Sequence, residues 1–439
     1  MKRFVLLLLV VMLLVPLAVT AQEEVTLTVR WFASAACDRL ATLSAAYEAA
    51  SVEVICTPYP EWQGRVFEDF AAGTGADLVM LDSQWLGEAV AGGYLLDLTD
   101  WMADALPLDD FAPAMLSAYG EYPPASGAYY GVPFQPDALI LLYRRDYFED
   151  AAYQAAFEAE YGYPLAVPAT WDHLLDAARF FYRPDEGMYG FATGWDGSRS
   201  SDVITANWNP ILWSLGGALW QPESCAVAGV LNDETGHAAL ELAQQLYQTA
   251  PPGASIYSFA EVNEAVCSHE TALAVNWFGD AAATTDAMFC ENADNLGYAV
   301  MPGQDAHYTS LGGVGITVAA SSEYPQAAQD YLAWLLSDDV QQEWAQGGGF
   351  SPRLSILGDA AYQELTPYNA LALESVPLLH DYWNLPEYAD LLAPLQEYLS
   401  LAITGGMDAQ EALDAIAAAQ QAVLADAYGD DCGFGLTAE

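Results

Sequence analysis

At 439 residues the chain is too long for one hydrophobic core and suits two domains. Its 60 acidic residues face only 11 lysines and arginines, a formal charge of −49. That balance leaves no basic face for phosphate, so nucleic acid is excluded as a partner and an anionic small ligand is disfavoured.

The chain opens M-K-R-F-V-L-L-L-L-V-V-M-L-L-V-P-L-A-V-T-A-Q. Lys2 and Arg3 form a charged n-region, Phe4–Leu14 an apolar h-region, and Val19-Thr20-Ala21 a small-residue cleavage site. Residues 1–21 therefore read as a secretory signal peptide. The alternative, a membrane anchor, is opposed by the shortness of the run and by Pro16. No cysteine that could accept lipid closes the h-region, so the mature protein is expected to be soluble, in the periplasm or outside the cell. Cleavage leaves nine basic residues, all arginine. Six cysteines remain, at 37, 56, 225, 267, 290 and 432. An even number in an exported chain suggests disulfides, with Cys37–Cys56 the favoured pair because they end neighbouring elements. No C-x-x-C, H-x-x-x-H or EF-hand pattern is present, so neither a metal nor a cofactor is assigned. Cys267-Ser-His269 alone does not make a zinc site.

Val25–Trp31 reads as a strand, Asp38–Ala50 as a helix, Val52–Cys56 as a strand, Trp62–Ala72 as a helix and Asp77–Leu81 as a strand. This alternation predicts a parallel α/β sheet with helices on both faces, whose ligands sit at the carboxyl ends of the strands. Two such ends carry Trp31-Phe32-Ala33-Ser34 and Asp82-Ser83-Gln84-Trp85. After the Pro/Gly/Tyr-rich stretch Glu121–Gly131, the segment Val132–Asp137 reads as a crossing between domains, and Ala138–Tyr143 as an apolar strand. Helices follow at Asp146–Tyr161, at Trp171–Phe181 with Thr170 as N-cap, and at Asp233–Gln248 and Phe259–Cys267. Leu311–Val318, rich in glycine, reads as a second crossing. Then come a helix opened by Pro325, a short helix Ser337–Gln346 ended by Gly347-Gly348-Gly349, and helices at Glu387–Ala402 and Asp408–Ala425. Two α/β lobes joined by repeated crossings leave a cleft between them, a preferred place for a small ligand.

The stretch A-L-A-V-N-W-F-G-D, Ala272–Asp280, ends a buried strand on an amide, two aromatics and a carboxylate. Flat apolar faces and planar polar groups are what a sugar ring and its hydroxyls require. Trp277 thus reads as a stacking platform, with Asn276 and Asp280 fixing nearby groups; the alternative makes Trp277 core and Asp280 a helix cap. Asp82 and Trp85 read as ligand contacts or as cap and core, Trp195 as a loop contact or core, and Trp31 as core or contact. Arg353 reads as a structural ion pair or a ligand group.

The mature chain resembles the extracellular solute-binding proteins of ABC importers, in the carbohydrate-binding branch that includes maltose-binding proteins. Eight pieces stand in family order: G-A-D-L-V-M-L-D-S, G-G-Y-L-L-D-L-T, Y-Y-G-V-P-F-Q-P-D-A-L-I-L-L-Y-R-R-D-Y-F, P-A-T-W-D-H-L-L-D-A-A, N-P-I-L-W-S-L-G-G, A-L-A-V-N-W-F-G-D, L-G-G-V-G-I-T-V and W-A-Q-G-G-G-F-S-P-R-L-S. The resemblance implies a two-lobed periplasmic-binding-protein-like fold of the class II type, each lobe a mostly parallel sheet flanked by helices. It assigns residues 22–134 plus 313–346 to the N-terminal lobe and 135–312 plus 347–439 to the C-terminal lobe. It implies a monomeric, non-catalytic receptor that closes on a carbohydrate or polyol and delivers it to a membrane permease. Carried onto matching positions, ligand contacts fall at Asp82, Ser83, Gln84 and Trp85, at the hinge acid Asp137, at Asn207, Trp208 and Asn209, and at Asn276 and Trp277. Gly313 and Gly348 would let backbone approach the ligand, with Arg353 nearby. Val314 departs from the aromatic that the family often has after the glycine pair, and the mature chain lacks lysine. Two other functions share this composition: a secreted glycoside hydrolase with opposed carboxylates, and a receptor for a cation such as a polyamine.

Overall fold

The structure is a computed structural model that describes residues 25–198, 202–268, 270–429 and 432. The predicted leader, 1–21, lies outside the described residues. Nine strands make up the sheet: β1 (Thr26–Phe32), β2 (Ser51–Thr57), β3 (Leu78–Leu81), β4 (Gly131–Arg144), β5 (Tyr189–Ala192), β6 (Thr271–Trp277), β7 (Leu296–Val300), β8 (Thr309–Val318) and β9 (Leu379–His380). They run in the order β2-β1-β3-β8-β4-β6-β5, with β7 also on β4 and β9 on β8. Pairing is parallel among β2, β1 and β3 and between β5 and β6. The chain returns through β4 and β8, which run antiparallel to each other; β8 is also antiparallel to β3, and β4 to β6 and β7. The sheet is therefore mixed where mostly parallel strands were expected, because β4 and β8 oppose each other and β3, β6 and β7, while β9 pairs parallel with β8.

Local chemistry sets the elements. In β1, Leu27, Val29 and Trp31 turn inward while the alternate residues face outward, the period of a half-buried strand. The following helix begins at Ala35 because the Ser34 hydroxyl accepts from the Cys37 N–H. Asp150 breaks the predicted helix 146–161 in two: its carboxylate accepts from the N–H groups of Ala152 and Tyr153 and starts a second helix, Ala151–Tyr161. Trp171–Phe181 and Phe259–Cys267 stand where periodicity puts them. Disulfides join Cys37 to Cys56, Cys225 to Cys432 and Cys267 to Cys290. Among the described residues no helix is long and apolar enough to cross a membrane.

β4 is twice the length expected, since the segment with Pro133 and Pro136 is itself strand. Proline gives no ladder N–H. The register shifts between Pro133 and Gln135, a bulge that absorbs the missing donors. The Gln135 side-chain oxygen then accepts from Trp344 Nε1 at 3.0 Å and from the Phe350 N–H at 3.1 Å, tying the helix Asp338–Gln346 to the crossing.

Proline also shapes the helix Val203–Ser214, which carries Pro210 in its interior. The ring supplies no N–H to the Ala206 carbonyl. The Ser310 hydroxyl of β8 donates to that carbonyl instead, at 2.6 Å, so the helix is fastened to the crossing strand. Ser310→Ala leaves the Ala206 carbonyl without that partner. We expect it to lower unfolding free energy by about 1–3 kcal/mol in denaturant titration.

Candidate functional site

A cavity of about 450 Å³ opens at the carboxyl ends of β1, β2 and β3. One wall carries Phe32, Ser34, Tyr59, Trp62, Asp82 and Gln84. Asp196, Asp202, Phe259, Trp277 and Asp280 face them, and the crossing strands supply Asp137, Gly312 and Gly313 as the floor.

The first wall is an aromatic ladder. The rings of Phe32 and Tyr59 meet edge-on at 5.3 Å, Phe32 and Trp62 at 4.9 Å, and Trp62 rests on Trp85 at 4.4 Å. Tyr59 reaches Phe259 of the facing wall, edge-on at 6.1 Å. On the floor, Trp277 lies across Gly312: a Cβ there would come within 2.5 Å of the indole ring. Gly313 has φ +87°, and a Cβ on it would meet the Gln135 carbonyl oxygen at 2.1 Å. Both positions therefore demand glycine, and the demand sets the plane of the indole.

The polar groups are carboxylates. Asp137 accepts from the N–H groups of Ala138 at 2.8 Å and Gly279 at 3.2 Å. Asp202 accepts from the Tyr382 hydroxyl at 2.6 Å, and Asp381 from Gln84 Nε2 at 3.2 Å and from the Tyr382 N–H at 2.8 Å. Burial, with Asp280 beside it, raises the Asp137 carboxyl to about 8. Burial alone raises Asp280 to about 6. Burial and the charges of Asp202 and Asp381 lift Asp82 well above the ordinary carboxylate range, and burial also raises Asp202 and Asp381. Desolvation and mutual repulsion both disfavour the ionised forms.

Six of the residues singled out from sequence line this cavity: Asp82, Gln84, Asp137, Trp277, Asp280 and Gly313. Asp280 is the first residue inside a short 3-10 turn whose cap position is Gly279, so a cap role does not account for it. The structure places the others elsewhere. Ser83 and Trp85 are buried just behind the wall. Trp31 is 1% exposed and packs on Phe134, because strand alternation sends Trp31 inward and Phe32 to the cavity. Trp195, also 1% exposed, is core and meets Tyr247 edge-on. Trp208 and Asn209 have no exposed surface, lying on a helix buried all round. Asn207 is held by the Thr193 hydroxyl and the Val203 carbonyl. Asn276 donates to the Phe259 carbonyl and to Asn263 Oδ1 and accepts from the Trp277 N–H, fixing the strand end. Gly348 faces Arg39, not the cavity. Arg353 is 5% exposed and bonded to Asp110, Asp338 and the Leu336 carbonyl, a structural ion pair.

Sequence reasoning named the strand end that holds Phe32 but chose Trp31 there, and it missed Tyr59, Trp62, Asp202 and Phe259. Tyr59 and Trp62 follow the carboxyl end of β2 in T-P-Y-P-E-W, and that strand-end signal was available. Asp202 carries no local signal.

The chain belongs to the family of bacterial extracellular solute-binding proteins, whose model matches residues 40–342. A mannitol-binding protein of Pseudomonas aeruginosa is 27% identical over 75% of this chain and 76% of its own length. A probable amino-acid ABC transporter periplasmic-binding protein of Sinorhizobium fredii is 24% identical, covering 74% of this chain and 72% of that one. Among solved structures, a solute-binding protein of Agrobacterium radiobacter in complex with ribitol superposes with TM-score 0.76 at 25% identity, covering 91% of this chain and 98% of its own. A maltose-bound protein of T. maritima also reaches 0.76, at 24% identity over 91% and 100%. The fold is the two-lobed one of these binding proteins.

The raised carboxyl groups make the empty protein pH-sensitive. A folded-state pKa above the unfolded value means the folded state binds more protons, so stability falls as pH rises from about 4 to about 8. Without ligand, the melting temperature should be higher at pH 5 than at pH 8, by at least about 2 °C. Asp137→Asn should flatten that slope.

Proposed function

We propose that the mature protein is the extracytoplasmic receptor of an ABC importer and captures a carbohydrate or polyol. The observation that carries this reading is the cavity wall: flat rings of Tyr59, Trp62 and Trp277 beside carboxylates and an amide, at the strand ends where α/β ligands sit. The mannitol, ribitol and maltose of the relatives' names support the ligand class. The family and the short apolar run at the N-terminus support export, with cleavage near Ala21.

The lobes we assign are 22–134 plus 313–346 and 135–312 plus 347–439. The strands β4 and β8 run across this boundary, and bending near Gln135–Asp137 and Leu311–Gly315 would close the cleft. Closure is selected because only the closed form brings both walls to the ligand. The protein acts as a monomeric binder, hands the ligand to a membrane permease, and performs no chemistry on it.

Titration with mono-, di- and oligosaccharides and polyols, followed by tryptophan fluorescence and melting temperature, tests the reading. One ligand class should give a saturable response and a smaller radius of gyration in solution scattering. Trp277→Ala should weaken that ligand by about tenfold or more, since a stacked face is lost. Gly312→Val should do the same by displacing the indole. Release of shorter sugars from an oligosaccharide would instead make the protein a hydrolase.

A further inference from the structure

One short segment beside the cavity is bonded to a distant part of the chain. The 3-10 turn Ser83–Trp85 and the helix Leu86–Ala91 follow strand β3, and Gln84 of the turn is on the cavity wall. Gln84 Nε2 donates to Asp381 at 3.2 Å, and the Gly87 N–H donates to the Asn384 side-chain oxygen at 2.8 Å. Both acceptors stand in the loop 381–385, between β9 and the helix Tyr388–Ile403. That helix packs against Ala409–Tyr428 and Val203–Ser214, and the Tyr382 hydroxyl bonds Asp202 at 2.6 Å, so the loop is fixed to that body. On the division proposed above, the segment 83–91 belongs to the N-terminal lobe and the loop to the C-terminal lobe. The bonds therefore span the lobes away from the crossing strands.

The helix Leu86–Ala91 has no side-chain cap of its own. The first N–H groups of a helix lack partners within it. Asn384 supplies one to Gly87 from 297 residues along the chain.

Glycine at 87 is a second, independent observation. Its φ lies outside the left-handed region, and at such a helical position alanine is the better helix former. What a side chain lacks there is room. A Cβ on residue 87 would lie 3.0 Å from the Asn384 carbonyl oxygen and 3.0 Å from the Leu385 carbonyl carbon. The glycine stands where the backbone of the facing loop arrives. Among the described residues that line the ligand cavity, Gly87, Asn384 and Leu385 do not appear, so contact with ligand does not account for them.

We propose that Gly87, Asn384 and the backbone at Leu385 form a clasp, made when the lobes close and parted when they open. Gly87 and Asn384 are positioning residues, since they act through closure and not on the ligand. The clasp adds the same attraction to every closed complex, so it sets how tightly ligands are held and leaves the choice among them to the cavity. This rests on the division into lobes and adds to the receptor reading the residues that hold its closed state.

The first test needs no ligand. Gly87→Cys combined with Asn384→Cys puts two thiols where the backbones meet, and the native cysteines are already paired. Under oxidising conditions the double variant should cross-link. It should then show a smaller radius of gyration in solution scattering than the wild type or either single variant. No cross-link, or a cross-linked protein as extended as the wild type, would overturn the clasp.

The second test separates closure from folding. Gly87→Leu puts a good helix former in place of glycine and obstructs the loop. The melting temperature of the empty protein should not fall. Affinity for whichever of mannitol, ribitol and maltose the wild type binds should drop about tenfold or more, chiefly through faster dissociation. Asn384→Ala should weaken the same ligand by about fivefold, through loss of one hydrogen bond. A lower melting temperature with unchanged affinity would make the contact a fixed part of the scaffold and overturn the proposal. Silence from all three ligands beside a compact cross-linked form would overturn the carbohydrate reading and leave the clasp standing.

Discussion

The site depends on how closely two backbones approach. Strands β4 and β8 cross the molecule side by side, and at the point of closest approach no side chain fits between them. Gly313 rests on the Gln135 carbonyl, Gly315 on Tyr119, and Gly312 under the indole of Trp277. The Tyr119 hydroxyl donates to the Gly312 carbonyl and pins the same spot. Because the strands touch there, Asp137 and Trp277 reach the cavity floor from adjacent strands. Gln135, turned out of register by the bulge, anchors Trp344 and Phe350 on the other side. The same short stretch thus sets the floor of the cleft, fixes the aromatic plane and, on the proposed division, carries the bend.

Around that floor the charge is divided by function. The arginines whose contacts are described serve the scaffold, through ion pairs, carbonyl bonds and aromatic faces. Among the described residues the charged groups that line the cavity are carboxylates alone. Packing several anions in a recess is unfavourable, since each loses hydration and each repels the next. A fold that needed only a rigid recess would fill such positions with amides or hydroxyls. Keeping acids there stores electrostatic strain that protonation or a ligand relieves.

Much of this was readable from sequence, and the limits have physical causes. Helices with a clean apolar stripe and a cap, such as Trp171–Phe181 behind Thr170, are local and were legible. So was the pairing of Cys37 with Cys56, which joins neighbouring elements. The first half of β4 was not, because its prolines mimic a loop while a bulge and a glutamine side chain compensate them. At the site, N-W-F-G-D pointed to a strand end that lines the cavity, yet the single strand β6 uses its residues differently. Asn276 locks backbone, Trp277 faces the cavity and Phe278 enters the core. Trp31 and Phe32 differ by one position, and pleating alone decides which faces the cavity. Asp202 and Asp381 are separated by 179 residues and meet only through Tyr382; no window of sequence contains both.

The same arrangement bears on closure. On the proposed division, Asp82 belongs to one lobe and Asp202 and Asp381 to the other, so the repelling charges come from opposite walls. Closing the empty cleft brings them together and removes water from between them, which raises the energy of the closed state in proportion to how well it is closed. The aromatic contact of Tyr59 with Phe259 works in the other direction, rewarding approach of the walls whatever lies between. On the proposed reading, a ligand that relieves the repulsion between the carboxylates leaves the attraction. On the same reading, binding free energy is then spent on choosing the closed form.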